Sequence, residues 1–331
     1  MKSYPIADLH NDLLSFLTTH PKRSTENPES RGSHPQMKQG NVAFQALTMY
    51  TATEPSSYMQ GLKQLDMLDS LLSSHSEKYT LWNPRSPLKT EGPIAVALVL
   101  ENAHGICEES QSIDVGISNL EKALLRFKNI IYISLTWNFE NRLGGGCGSQ
   151  IGLKEDGKRL LEWMHQKKIA VDLSHASDFL VDDIFNFIEK KTLDIPVIAS
   201  HSNMRSITKV DRNLPDLFVQ EIIRRKGLIG LNFFAPFIGT HVHQVADHVS
   251  HLFSLGGKEQ LCFGGDFFHL EDFFNLQEKY GIKEGFFSEF SNASCYPYAL
   301  SFLEDHLDLS EKEIQAVAYG NFQNYVQRTY S

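Results

Sequence analysis

Short apolar runs recur along the chain, each ending in a polar residue and each followed by a stretch of helical period. The pattern predicts strands over residues 5–9, 42–50, 94–100, 130–135, 169–173, 196–199, 228–232 and 260–265. Residues 94–100 (IAVALVL) are apolar without interruption, as in a parallel strand buried on both faces. Helices are predicted over 58–72, 117–127, 154–166, 179–190, 215–225, 243–255, 298–306 and 310–326. In the first of these, Leu62, Leu65, Leu68 and Leu72 fall at helical spacing. Residues 19–39 are rich in Ser, Pro, Arg, Lys and Glu and read as a long loop, a candidate lid.

Strands alternating with helices imply parallel pairing. Eight such units in 331 residues fit one (β/α)8 TIM barrel over 1–331, with C-terminal helices, better than two domains. A doubly wound sheet is the alternative, but no nucleotide fingerprint supports it. Leu143-Gly144-Gly145-Gly146 has neither a G-x-G-x-x-G nor a Walker pattern, and reads as a flexible loop.

Composition changes this picture little. The chain is 41% hydrophobic and 21% charged, ordinary for a globular protein. A net charge of −9 argues against a general nucleic-acid partner. No stretch approaches the roughly 20 uncharged apolar residues of a membrane span, so no membrane partner is expected. No apolar leader follows Met1-Lys2-Ser3-Tyr4, which points to the cytoplasm. Cys107, Cys147, Cys262 and Cys295 are widely spaced and are expected to be reduced thiols.

The chemistry lies where the strands end. His10 and Asp12 close the first strand, and residues i and i+2 of an extended chain point to the same side. Glu101 ends the third strand, His175 follows the fifth, His201 the sixth and Asp266 the eighth. In a barrel of this kind the active site lies at the C-terminal ends of the strands. Each residue alone has a plainer reading: a solvated charge, a rim histidine or a turn aspartate. Six metal-ligand or acid/base side chains on one rim favour a metal site, with zinc a leading candidate. Three His and three carboxylates exceed the three protein ligands of a typical catalytic zinc site, so two ions are expected. Glu101 is the natural bridge, since a carboxylate has two oxygens. His10 and Asp12 would complete one shell, His175 and His201 the other.

The sequence resembles the renal (membrane) dipeptidase family of dinuclear zinc peptidases, which are barrels of the metallo-dependent hydrolase type. The matching stretches are Asp8-Leu9-His10-Asn11-Asp12, Leu100-Glu101-Asn102-Ala103, Ser134-Leu135-Thr136-Trp137-Asn138, Val171-Asp172-Leu173-Ser174-His175, Ala199-Ser200-His201-Ser202-Asn203, Asp211-Arg212-Asn213-Leu214-Pro215-Asp216, Gly264-Gly265-Asp266-Phe267 and Gly320-Asn321. The resemblance implies zinc ligation by His10, Asp12, Glu101, His175 and His201. It implies acid/base work by Asp266 and a grip by Arg212 on the substrate's carboxylate. The implied substrate is a small dipeptide, with tolerance of a C-terminal D-residue, and a homodimer is implied too. Mammalian-type members have a His after Leu-Thr where this chain has Trp137, which resembles a Leu-Thr-Trp-Asn subgroup and places an indole on the substrate side. The rivals are a dinuclear barrel hydrolase for a cyclic amide, lactone or phosphoester, and a metal-bound barrel without catalysis.

Overall fold

The computed structural model describes residues 4–273 and 285–331. Its strands are β1 (Ile6–Asn11), β2 (Val42–Tyr50), β3 (Tyr79–Leu81), β4 (Ile94–Glu101), β5 (Ile130–Ser134), β6 (Ala170–Asp172), β7 (Val197–Ile198), β8 (Ile229–Leu231) and β9 (Leu261–Phe263). All pair in parallel, in the order β7-β6-β5-β4-β2-β1-β9-β8. A bridge between Ala199 and Ile229 closes the ring. There the Ala199 N–H donates to the Leu228 carbonyl and the Gly230 N–H to the Ala199 carbonyl, both at 2.8 Å. The eight ring strands form the expected (β/α)8 barrel. β3 lies off the ring along the start of β4, with Tyr79 opposite Ile94, and the sequence pattern did not predict it.

Strand alternation divides the apolar side chains into two layers. Ala7 and Leu9, Phe44 and Ala46, and Ala97 and Val99 fill the barrel interior. Ile6, Val42, Val96, Leu98 and Leu100 belong to the layer that the surrounding helices cover. The helix Asn321–Tyr330 carries Phe322, Tyr325 and Val326 into the interior cluster. Phe322 stacks on Phe44 at 4.4 Å, and Trp82 meets Phe44 edge-on at 5.4 Å. Packed aromatics therefore close the end of the barrel that carries no chemistry.

At the opposite end the backbones crowd. A Cβ on Gly230 or Gly264 would stand 1.9 or 2.0 Å from the Ser200 carbonyl oxygen, so only glycine lets these strand ends meet. Asp8 ties β1 to the segment after β9: it accepts from the Gly265 N–H at 3.0 Å and from the Tyr296 hydroxyl.

Two expectations change. The segment 19–39 is not a bare loop. It holds the helix His34–Gln39, capped by Ser33 and Gln36, and buries Met37. Arg23 grips Asp272 through both carboxylate oxygens, and Arg31 donates to the Ser291 carbonyl at 2.8 Å. None of its residues lines the cavity described below, and it packs on the barrel's flank. The helix Leu13–Thr19 follows β1 directly, over too few residues to show a period.

Candidate metal centre and active site

The six strand-end residues converge. β1 runs to Asn11, and Asp12 occupies the turn that starts the next helix, with φ −89° and ψ 23°. Asp12 therefore reaches His10 through a turn and not, as the alternation suggested, along an extended strand. Its Oδ2 lies 3.8 Å from His10 Nε2. Glu101 sits between two groups of ligands: its Oε2 is 3.4 Å from His10 Nε2, and its Oε1 is 2.8 Å from His175 Nε2 and 3.7 Å from His201 Nε2. Asp266 Oδ1 is 3.8 Å from His10 Nε2. Asn102, His175 and Asp266 all hold left-handed backbone (φ 63°, 69° and 56°), a strained conformation that concentrates at functional sites.

Hydrogen-bond accounting fixes which ring nitrogens are free. The Tyr132 hydroxyl donates to the Leu9 carbonyl at 2.9 Å, so its oxygen accepts from His10 Nδ1–H at 2.7 Å. The Ser200 hydroxyl donates to Asp172 at 2.7 Å, so its oxygen accepts from His201 Nδ1–H at 2.7 Å. His175 Nδ1–H donates to Asn138 Oδ1 at 2.7 Å. Every imidazole thus spends its proton outward and presents a bare Nε2 inward. Two of these bare nitrogens, on His175 and His201, stand 3.0 Å apart with Glu101 against them. Lone pairs so placed repel unless a cation lies among them.

Electrostatics point the same way. Burial pushes the Glu101 carboxyl up to about 8, opposed by the Arg212 charge, and the Asp266 carboxyl up to about 6, where the Glu101 charge adds to the rise. Burial also drives Asp12 well above the usual carboxylate range and His175 and His201 well below the usual imidazole range. Three desolvated carboxyls and neutral imidazoles are short of positive charge. His10 Nε2 and Asp12 Oδ1 are buried with no hydrogen-bond partner. His10, Glu101 and His201 form one group able to hold an ion, and His10, Asp12 and Asp266 another. This donor set, nitrogen and oxygen with outward-anchored imidazoles, fits a divalent transition metal.

Above the centre lies a cavity of about 410 Å³, lined by Asp12, Glu101, His175 and Asp266 below and by Arg212, Trp137 and several aromatic residues around it. That volume falls in the ordinary range for small-molecule sites. Arg212 is buried. Its Nη1 donates to Ser202 Oγ and its Nη2 to the His201 carbonyl, both at 2.8 Å, its plane lies over Phe237, and its Nε–H has no partner. Asp266 Oδ2 accepts from Asn232 Nδ2 at 2.8 Å, and Asn232 Oδ1 is fixed by the Phe234 N–H. Trp137 is half-buried between Tyr50, at 5.4 Å edge-on, and the His175 ring, at 6.2 Å.

Sequence reading missed the groups that orient the ligands: Tyr132, Asn138, Ser200, Asp172 and Asn232. One signal was available. Asp172 interrupts an apolar strand, and a buried charge there needs partners. It has them in Ser134 Oγ, Ser200 Oγ and the N–H groups of Ser174 and Ser200.

Barrel and donor set together define a metal-dependent hydrolase. Residues 1–329 match the family described as membrane dipeptidase (Peptidase family M19), and the chain belongs to it. It is a metallo-dipeptidase by that membership. An uncharacterised dipeptidase of the yeast Schizosaccharomyces pombe is 23% identical over 302 residues, 80% of this chain and 69% of that protein. Among solved structures, a metallopeptidase from Rhodobacter sphaeroides, liganded with a phosphinate mimic of the dipeptide L-Ala-D-Ala, superposes with a TM-score of 0.79. It is 19% identical, with 99% of this chain and 100% of that one covered. A dipeptidase of the same M19 family superposes with a TM-score of 0.80 at 20% identity, 99% of each chain covered. At these identities the superpositions speak for the fold. Among the described residues no helix is long and apolar enough to cross a membrane, and the four cysteines are free.

Proposed function

We propose that the chain hydrolyses the amide bond of small dipeptides over a pair of zinc ions. The observation that carries this reading is the ring of unprotonated Nε2 atoms and carboxylates around Glu101, with a buried arginine in the cavity wall above. His10 and Asp12 would hold one ion, His175 and His201 the other, with Glu101 shared. The opposed directions of its two oxygens support this sharing. When bound, the ions supply Lewis acidity toward a carbonyl oxygen and acidify a water.

The rest falls to the chain itself. The Arg212 guanidinium, held flat by Ser202, the His201 carbonyl and Phe237, receives the substrate's free carboxylate through its remaining N–H groups. Asp266 accepts a proton from the attacking water and returns it to the leaving nitrogen. Its carboxyl is steadied by Asn232, which holds one oxygen and leaves the other toward the site to take and return the proton. Trp137 bounds the substrate side, where its indole walls off solvent beside His175. The family resemblance and the L-Ala-D-Ala mimic on the Rhodobacter protein support including dipeptides with a C-terminal D-residue. Four free thiols support a cytoplasmic protein, and the family resemblance supports a homodimer of one catalytic barrel over the whole chain.

The test is turnover of L,L- and L,D-dipeptides by metal-stripped protein with and without added zinc, beside Glu101→Gln. Expected are zinc-dependent hydrolysis, two zinc per chain by elemental analysis, and loss of both in the variant. Full activity after metal removal would sink the proposal.

A further inference from the structure

The dipeptidase reading leaves the side chains of the substrate unspecified, and the cavity walls address them. Two aromatic clusters rise from the barrel rim. Tyr50 ends β2 and Trp137 and Phe139 follow β5, with Trp137 5.4 Å from Tyr50 and 6.3 Å from Phe139. Phe234, Phe237 and Phe268 follow β8 and β9, with Phe234 5.0 Å from Phe237 and 5.3 Å from Phe268. In the ring order β5 lies directly across from β9, while β2 is two strands from β9 with β1 between them, and both clusters line the cavity over the His and carboxylate floor. The second cluster is also the one that carries Arg212, whose guanidinium lies 5.3 Å from the Phe237 ring centroid.

We infer that both side-chain subsites are apolar, so that the preferred substrates are dipeptides with bulky hydrophobic or aromatic residues at both positions. The inference rests on the proposed dipeptidase activity. A carboxylate seated on Arg212 puts the C-terminal residue beside Phe234, Phe237 and Phe268. With the amide over the floor, the N-terminal side chain extends toward Tyr50, Trp137 and Phe139. Among the described residues, the one charged group lining the cavity outside the floor and Arg212 is Asp211, which is exposed. A charged N-terminal side chain would lose its hydration against aromatic rings, a loss that the single exposed carboxylate of Asp211 does not offset. An aromatic side chain would instead bury its area and stack, and pockets of this kind discriminate by about tenfold or more per substantial apolar group.

The experiment compares kcat/KM of the zinc-loaded full chain on Ala-Ala, Phe-Ala, Ala-Phe and Lys-Ala. Expected is that Phe-Ala and Ala-Phe each exceed Ala-Ala about tenfold or more, chiefly through lower KM, and that Lys-Ala falls below Ala-Ala. In Phe139→Ala, an exposed position where folding is not at stake, the ratio of Phe-Ala to Ala-Ala should fall several-fold while the ratio of Ala-Phe to Ala-Ala holds. Ala-Ala or Lys-Ala as the best substrate overturns the inference and leaves the dipeptidase reading standing. No turnover of any of the four overturns both.

Discussion

Tyr132→Phe removes one oxygen and tests how the metal ligands are made ready. In the native barrel that oxygen accepts from His10 Nδ1–H at 2.7 Å and donates to the Leu9 carbonyl at 2.9 Å. Without it, the nearest alternative for Nδ1 is Thr48 Oγ1 at 3.5 Å, the limit of a hydrogen bond. His10 must then leave a buried N–H unpaired or move its proton to Nε2, the nitrogen that faces Glu101. An unpaired buried donor costs about 1–3 kcal/mol. The wrong tautomer has to be reversed before a metal can bind, and loss of such an outer partner typically costs about 10- to 100-fold in metal affinity. At about 1.4 kcal/mol per decade the two estimates coincide, so zinc affinity should fall by about one to two decades. The ring of Tyr132 stays, so the interior packing of β5 is preserved and the metal-free fold should lose little beyond the Leu9 bond. The assay is competition against a zinc chelator at pH 7.5, with thermal melts of both metal-free proteins as the control. Native zinc affinity in Tyr132→Phe would show that Nδ1–H donation to this hydroxyl does not prepare His10.

Proton balance gives a second expectation. Burial raises Glu101 from an ordinary 4.5 to about 8 in the metal-free fold, so the folded state holds a proton that the unfolded chain has released. Stability then falls as pH rises from about 4.5 to about 8. Thermal melts of metal-free protein should decline across that window, whereas metal-loaded protein should not, and zinc binding near pH 7 should release protons measurable by calorimetry in buffers of different ionisation enthalpy. A flat metal-free profile would count against the raised carboxyls. Arg212→Lys keeps the charge but not the flat fork, so KM for dipeptides should rise about tenfold or more while C-terminally amidated analogues remain equally poor for both proteins; an unchanged KM would remove Arg212 from carboxylate binding. Gly264→Ala forces a Cβ to 2.0 Å from the Ser200 carbonyl and should destabilise by about 1–3 kcal/mol or more in chemical denaturation. Its predicted damage includes metal affinity, because Ser200 anchors His201; native stability would refute the close approach.

The sequence alone determined the alternation and the ligand types. Apolar runs flanked by helical periods are local properties, and parallel strands alternating with helices have few ways to close, so the barrel and its chemical end followed. Placing His10, Glu101, His175, His201 and Asp266 at strand ends needed only the strand boundaries. Tertiary structure decided what local pattern cannot carry. Tyr132 reads in sequence as one more aromatic in a buried strand, and Asn138 and Ser200 as ordinary loop polars. Tyr132 and Asn138 act on partners 122 and 37 residues away, and Ser200 is set for its neighbour His201 by Asp172, 28 residues away, contacts made only when the strands come together. Asp12 meets His10 through a turn that strand periodicity did not describe, and the 19–39 segment packs on the flank because Met37 and two arginines have distant partners. The two aromatic clusters likewise belong to no single stretch. They meet because a closed barrel carries the ends of β2, β5, β8 and β9 to one cavity, a relation fixed by topology.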